Sequence, residues 1–188
     1  MTIKKFMTMD LMVLSIMAIV VDTIGYFASR SELVFFYISL SIPIMLIAYI
    51  RWGYKALVIN GVVVVLHLIL YGTSDLIATM LYALSLMSIG VALVWFKFVP
   101  KNAIKHEVLL ITLYFLSAYT LLFFIQALAQ YSIGLEVQWV TLFIRHMVNV
   151  VLGWVILMIA SRQEDFMVDM KKYLLKQIED RKDEGLEK

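Results

Sequence analysis

The chain contains no cysteine, which removes disulfides, thiolate metal sites and cysteine nucleophiles from its chemistry. It is also poor in charge. Asp, Glu, Lys and Arg make up 16% of its 188 residues, against about 25% in soluble domains. Hydrophobic residues make up 63% and the mean hydropathy is +0.91, so the chain lacks the polar residues needed to solvate a surface in water. The formal net charge of +2 gives no indication of a nucleic-acid partner. Catalytic motifs are missing too: there is no HExxH, no GxSxG and no Gly-rich phosphate loop. The three histidines, His67, His106 and His146, do not fall at ligand spacing on one face. No cofactor, no metal and no enzymatic activity are therefore expected, with Ser74 beside His67 as a minor nucleophile-and-base alternative.

What the chain does have is long apolar runs. They fall at about 9–28, 33–50, 54–72, 77–97, 107–130 and 138–161, each near the length of about 20 residues that a helix needs to cross a bilayer. The stretch from Leu57 to Leu70 is apolar except for Asn60 and His67. Barrel strands would instead alternate in polarity, so the expected fold is all-α: a polytopic bundle of six transmembrane helices. The opening Met-Thr-Ile-Lys-Lys is followed by no small-residue cleavage site, and its apolar run is read as a retained span. No internal repeat or low-complexity linker interrupts the series.

The connections alternate in charge. Lys4, Lys5, Arg51, Lys55, Lys97, Lys101, Lys105 and Arg162 fall on one side, while Arg30, Glu32, Asp75 and Glu136 fall on the other. Basic residues in short loops mark the cytoplasmic side. This predicts both termini in the cytoplasm of a cell-membrane protein, with the loops near 30, 74 and 134 outside. The chain thus divides into a transmembrane domain, 1–161, and a charged cytoplasmic tail, 162–188. Phe166, Met170, Tyr173, Leu174 and Ile178 recur at helical spacing in that tail, which suits packing on the membrane surface or on a partner.

Polar residues within the spans concentrate toward the predicted outer side. Asp22, His67, Gln126, Gln130, Arg145, His146 and Asn149 lie at or within roughly 16 Å of the outer ends at 1.5 Å per residue. Tyr82 adds a fifth span. Charges at bilayer depth are costly and need a partner, a cavity or a function. A cavity lined by these side chains, with Tyr26, Tyr71, Tyr131 and Trp139 at its mouth, would suit a small polar or aromatic ligand. Structural alternatives stand beside this. Asp22 and Arg145 also read as a pair between the first and last helices, His67 as a hydrogen-bonded interior histidine, Gln126 and Asn149 as interhelical glue, and Tyr131 and Trp139 as an interfacial belt.

The segment Ser41-Ile-Pro-Ile-Met-Leu-Ile-Ala-Tyr-Ile-Arg-Trp-Gly-Tyr-Lys-Ala-Leu-Val-Ile-Asn-Gly runs from Pro43 through Gly53 to Gly61. It resembles helices two and three of the S components of energy-coupling factor transporters, which show a proline in helix two, a short basic turn with glycine, and a glycine early in helix three. Where that family often carries Ala-x-x-x-Ala on helix one, this chain has Ala18 followed by Asp22. The resemblance implies a vitamin-like ligand bound from outside, with a transmembrane coupling subunit, ATPase subunits and membrane lipid as partners. It places the pocket in the layer that holds Gln126, Gln130, Arg145, His146 and Asn149. The competing expectation is a membrane sensor or scaffold that acts through the charged tail.

Overall fold

The computed structural model describes residues 2–30, 38–72, 75–132, 134 and 136–186, and every regular element among them is helical. Glu32, read above as an outer-side residue, and Ser74, the alternative nucleophile, lie outside the described residues, as does the start of the expected span at 33–50. The helices are α1 (Ile3–Arg30), α2 (Ser41–Trp52), α3 (Leu57–Tyr71), α4 (Leu76–Met87), α5 (Lys101–His106), α6 (Val108–Ser132), α7 (Trp139–Arg162) and α8 (Met170–Leu186). A 3-10 turn, Gly53–Ala56, joins α2 to α3, and a 3-10 stretch, Ser88–Lys97, continues α4.

Five helical stretches are long and apolar enough to cross a membrane: Ile3–Ser29, Ser41–Tyr71, Leu76–Lys97, Val108–Ser132 and Trp139–Arg162. The sequence suggested six, and the difference lies in Ser41–Tyr71. That stretch turns back on itself at Gly53, whose φ of 61° ends α2 in a conformation that costs glycine little. Beyond the turn, Asn60 Nδ2 donates to Tyr49 Oη at 2.9 Å. Residues 11 apart on a straight helix would be separated by about 16 Å, so α2 and α3 run antiparallel. With 12 residues, α2 is about 18 Å long, short of a bilayer core of about 30 Å.

All 12 residues of α2 are buried. Its sequence is apolar on every side, which is the pattern of a helix enclosed by others. α1, α3 and α7 surround it, while the outer faces of the bundle expose large apolar side chains such as Met12, Ile24, Ile69, Leu109 and Val140. In lipid such exposure carries no hydrophobic penalty, and the helices are held by close packing and interhelical hydrogen bonds. Residues 38–40 run alongside α1 at Gly25, where a Cβ would stand 2.4 Å from the Ile38 carbonyl oxygen. Only glycine leaves room there for the chain to reach the start of α2.

Arg51, Lys101 and Lys105 lie together at one end of the bundle and make specific contacts there. Arg51 forks onto Asp10 with two 2.8 Å hydrogen bonds and donates through Nη1 to the carbonyls of Asp165 and Phe166. Trp52 Nε1 also donates to Asp10. Lys101 pairs with Asp169 at 3.0 Å, and Lys105 donates to the Glu164 carbonyl. These bonds hold residues 163–170 under the bundle with Met167 and Met170 buried, and Tyr173 and Leu174 of α8 pack against the core.

Candidate functional site

α2 begins inside the bundle. Asp22, which meets its first residue, stands eight residues before the end of α1, roughly 12 Å along the helix axis. A helix start leaves backbone N–H groups without partners, and away from water these must be satisfied by protein. Leu40, at the cap position, supplies no side-chain acceptor. α1 and α7 supply it instead. Asp22 Oδ1 accepts from Ser41 N at 3.0 Å, Asp22 Oδ2 accepts from Ser39 Oγ at 3.1 Å, and Asn149 Oδ1 accepts from Ser39 N at 2.8 Å. A carboxylate facing the positive end of a helix is stabilised by it. Non-helical backbone at this depth is tolerable because it is enclosed by protein.

Two hydrogen-bonded branches leave this buried knot. In the first, Asp22 Oδ2 meets His67 Nε2 at 2.6 Å, and His67 Nδ1 meets Tyr82 Oη at 2.9 Å. Asp22 and His67 are 1% and 0% exposed, so water does not reach them and their polar contacts come from protein groups. In the second, Asn149 hydrogen-bonds Tyr119, whose hydroxyl lies 2.8 Å from His146 Nδ1.

Both branches end at one cavity. It has a volume of about 240 Å³, and Tyr71, Tyr82, Gln126, Gln130, Arg145 and His146 line it together with Thr79. Its walls come from the end of α3, the start of α4, the end of α6 and the start of α7, all at the end of the bundle opposite the basic cluster. Gln126 Nε2 is buried there without a hydrogen-bond partner. Among the described residues, no cluster of three His, Asp or Glu side chains is arranged to hold a metal ion.

The residues singled out from the sequence therefore fall into three places. Gln126, Gln130, Arg145 and His146 line the cavity. Asp22, His67 and Asn149 form the knot behind it. Trp139 lies against Phe123 and Phe124 and lines a separate hollow with Tyr131 and Glu136. Tyr26 reaches the cavity wall indirectly, with its ring centroid 5.0 Å from that of Tyr71. The pairing of Asp22 with Arg145 is not formed: both Asp22 oxygens are held by Ser39, Ser41 and His67, while Arg145 lies exposed on α7 beside the cavity.

Sequence reasoning missed Ser39, Ser41 and Tyr119. A signal for the serines was present, since Ser-Leu-Ser immediately ahead of an apolar run is the composition of a helix start. Tyr119 carried no such signal, being one tyrosine within an apolar helix. Comparison with protein-family models, with curated proteins and with solved structures gives no match for this chain.

Proposed function

We propose that this chain is a membrane-embedded binding subunit for a small polar molecule, of the kind that delivers a vitamin or related micronutrient to an ATP-driven coupling module. The observation that carries the reading is the cavity where polar side chains of α3, α4, α6 and α7 converge at one end of an otherwise apolar bundle. Largely apolar pockets with a few convergent polar groups are where small ligands bind. The basic end of the bundle faces the cytoplasm in this reading, together with both termini, and the cavity opens outside. The chain passes the membrane six times, with α2 as a short, enclosed member whose buried start stiffens the cavity floor. Ligand enters from outside and meets Gln126, Gln130, Arg145 and His146 with Tyr71 and Tyr82 beside it. Transport then depends on a coupling subunit and ATPases, and the chain catalyses nothing itself.

The test is a thermal-shift screen of the detergent-purified protein against B vitamins, their precursors, nucleobases and amino acids. A ligand at 100 times its Kd stabilises the native state by about 2.7 kcal/mol. One saturable hit, weakened by Arg145→Ala, is the expected result; a well-folded protein with no response across the panel overturns the reading. In liposomes the chain alone should pass no flux of that ligand.

A second reading is favoured by a separate observation: residues 163–170 are clamped to the basic end and present α8 as a charged helix. In that reading the chain is a membrane sensor or scaffold and α8 is its working surface. Ending the chain after Leu175 separates the two while sparing the clamp. A binding subunit keeps its ligand, whereas a sensor or scaffold loses its function.

A further inference from the structure

We propose that a groove between α1 and α7, at the basic end of the bundle, holds a phospholipid whose headgroup carries both a phosphate and a primary ammonium, with an acyl chain laid on α2. The assignment is independent of the binding reading above, because the groove and the cavity lie at opposite ends of the bundle.

The groove has a volume of about 920 Å³. α2 packs against both α1 and α7, and its Ile44 and Ile47, which share one helix face, form the floor between them. Leu14 and Met17 of α1 make one wall, and Ile156 and Ile159 of α7 make the other. Met17 and Ile159 are exposed, so the apolar surface continues from the groove onto the outside of the bundle. Its length decides between occupants. From Ile44 to Arg51 α2 rises about 10 Å, and from Ile156 to Arg162 α7 rises about 9 Å. A partner's transmembrane helix would need a seat through the whole apolar core of about 30 Å. The groove instead fits within one leaflet, about 15 Å of that core, where the occupant is a lipid chain.

The rim selects the headgroup. Arg51 lines it, but its charge is matched by the Asp10 carboxylate onto which it forks. The charges that remain are Arg162, which ends α7, and Glu164 and Asp165, which follow it. Among the described residues none of these three side chains forms an ion pair. Lys105 and Arg51 hold the backbone carbonyls of Glu164 and Asp165, which ties down the chain while both carboxylates stay exposed. A guanidinium at the end of a span can fork onto a lipid phosphate. Two carboxylates just beyond it repel a headgroup that is only anionic, and they accept charge-assisted hydrogen bonds from an ammonium. A quaternary ammonium has no N–H to give them, and the ring face of Phe166 that could attract one already lies 5.8 Å from the Arg51 guanidinium. The order of charges thus complements a phosphate followed by a primary ammonium.

The experiment is native mass spectrometry of the purified, delipidated full chain offered equal amounts of phosphatidylethanolamine, phosphatidylcholine and phosphatidylglycerol with identical acyl chains. Phosphatidylethanolamine should be retained about tenfold over each of the others. Glu164→Gln combined with Asp165→Asn should abolish that preference and raise retention of phosphatidylglycerol, whereas Arg162→Gln should lower retention of all the lipids. Ile159→Trp enlarges an exposed side chain on the groove wall; it should block the acyl chain and lower retention of every lipid while the melting temperature of the delipidated protein stays unchanged. Glycerophosphoethanolamine, the headgroup without its chains, should not displace the bound lipid. Equal retention of the lipids, a preference for phosphatidylglycerol, or a preference for phosphatidylethanolamine that survives the Glu164 and Asp165 changes overturns the proposal. So does a dimer that Ile159→Trp dissociates, since the groove would then seat a second copy of the chain.

Discussion

Two aspartates of α1 hold the two ends of α2, and they do so differently. Asp10 meets the C-terminal end, where Arg51 and Trp52 donate to it in a setting partly open to solvent. Asp22 meets the N-terminal end, where Ser39, Ser41 and His67 enclose it completely. Each suits the helix dipole: a carboxylate at the start, and an arginine in the last turn. The first site is a bidentate ion pair with water nearby, so losing a partner lets solvent take its place. The second has no water to substitute, so every lost partner leaves a buried group unsatisfied. The lesson is that similar-looking acid residues on one helix differ in worth according to what would replace their partners.

The sharpest test of that contrast is Asp22→Ala, which orphans the Ser41 N–H, the Ser39 hydroxyl and His67 Nε2 together. Breaking a buried pair of this kind costs about 3–5 kcal/mol. Reversible unfolding in mixed micelles should show a loss near that size, and a double-mutant cycle with His67→Ala should show that the two losses do not add. A loss below about 1 kcal/mol would mean that α2 does not depend on this carboxylate. Next in size is Gly25→Ala, which drives a methyl group into the Ile38 carbonyl and should cost about 2 kcal/mol by overpacking. It acts on the same end of α2 without removing a polar group, so it separates the effect of position from the effect of hydrogen bonding.

Asp10→Asn should cost less, about 1–2 kcal/mol, because the Arg51 guanidinium keeps its bonds to the Asp165 and Phe166 carbonyls and gains water. Arg51→Lys should lose a similar amount, since an ammonium cannot fork onto Asp10 while also reaching both carbonyls. Equal losses for Asp10→Asn and Asp22→Ala would erase the distinction between the two ends.

Much of the bundle was legible in composition. The runs expected at 77–97, 107–130 and 138–161 correspond to Leu76–Lys97, Val108–Ser132 and Trp139–Arg162, because hydropathy measures the quantity that decides lipid exposure. The shortness of α2 was not legible. An apolar residue facing lipid and one facing protein read alike, so 33–50 looked like an ordinary span, and nothing in its composition marked α2, Ser41–Trp52, as the enclosed helix. The cavity residues on α6 and α7 could be found by counting depth along a helix, since Gln126, Gln130, Arg145 and His146 need only their own helices to place them. The separation of Asp22 and His67 from that group was beyond such counting. It depends on which side chains meet across the bundle, and Ser39 claims an oxygen of Asp22 from an irregular segment whose path the sequence does not state.

The smallest expected effect lies at the other side of the basic end, where Lys101 and Asp169 pair at 3.0 Å with side chains 19% and 18% exposed. Partly solvated pairs of this kind contribute at most about 1 kcal/mol, so Lys101→Ala should barely change global stability. Its effect should instead be local. Asp169 precedes α8 and accepts from the Lys172 N–H, while Arg51 and Lys105 hold the carbonyls just before it. Freed from Lys101, the start of α8 should open more often than the bundle does, and amide exchange should quicken across 170–175 while α2 stays protected. Quickened exchange in α2 as well would mean that the clamp under the bundle and the helix it closes open as one unit. Asp10 and Asp22 would then be holding α2 only with the help of the chain beneath it.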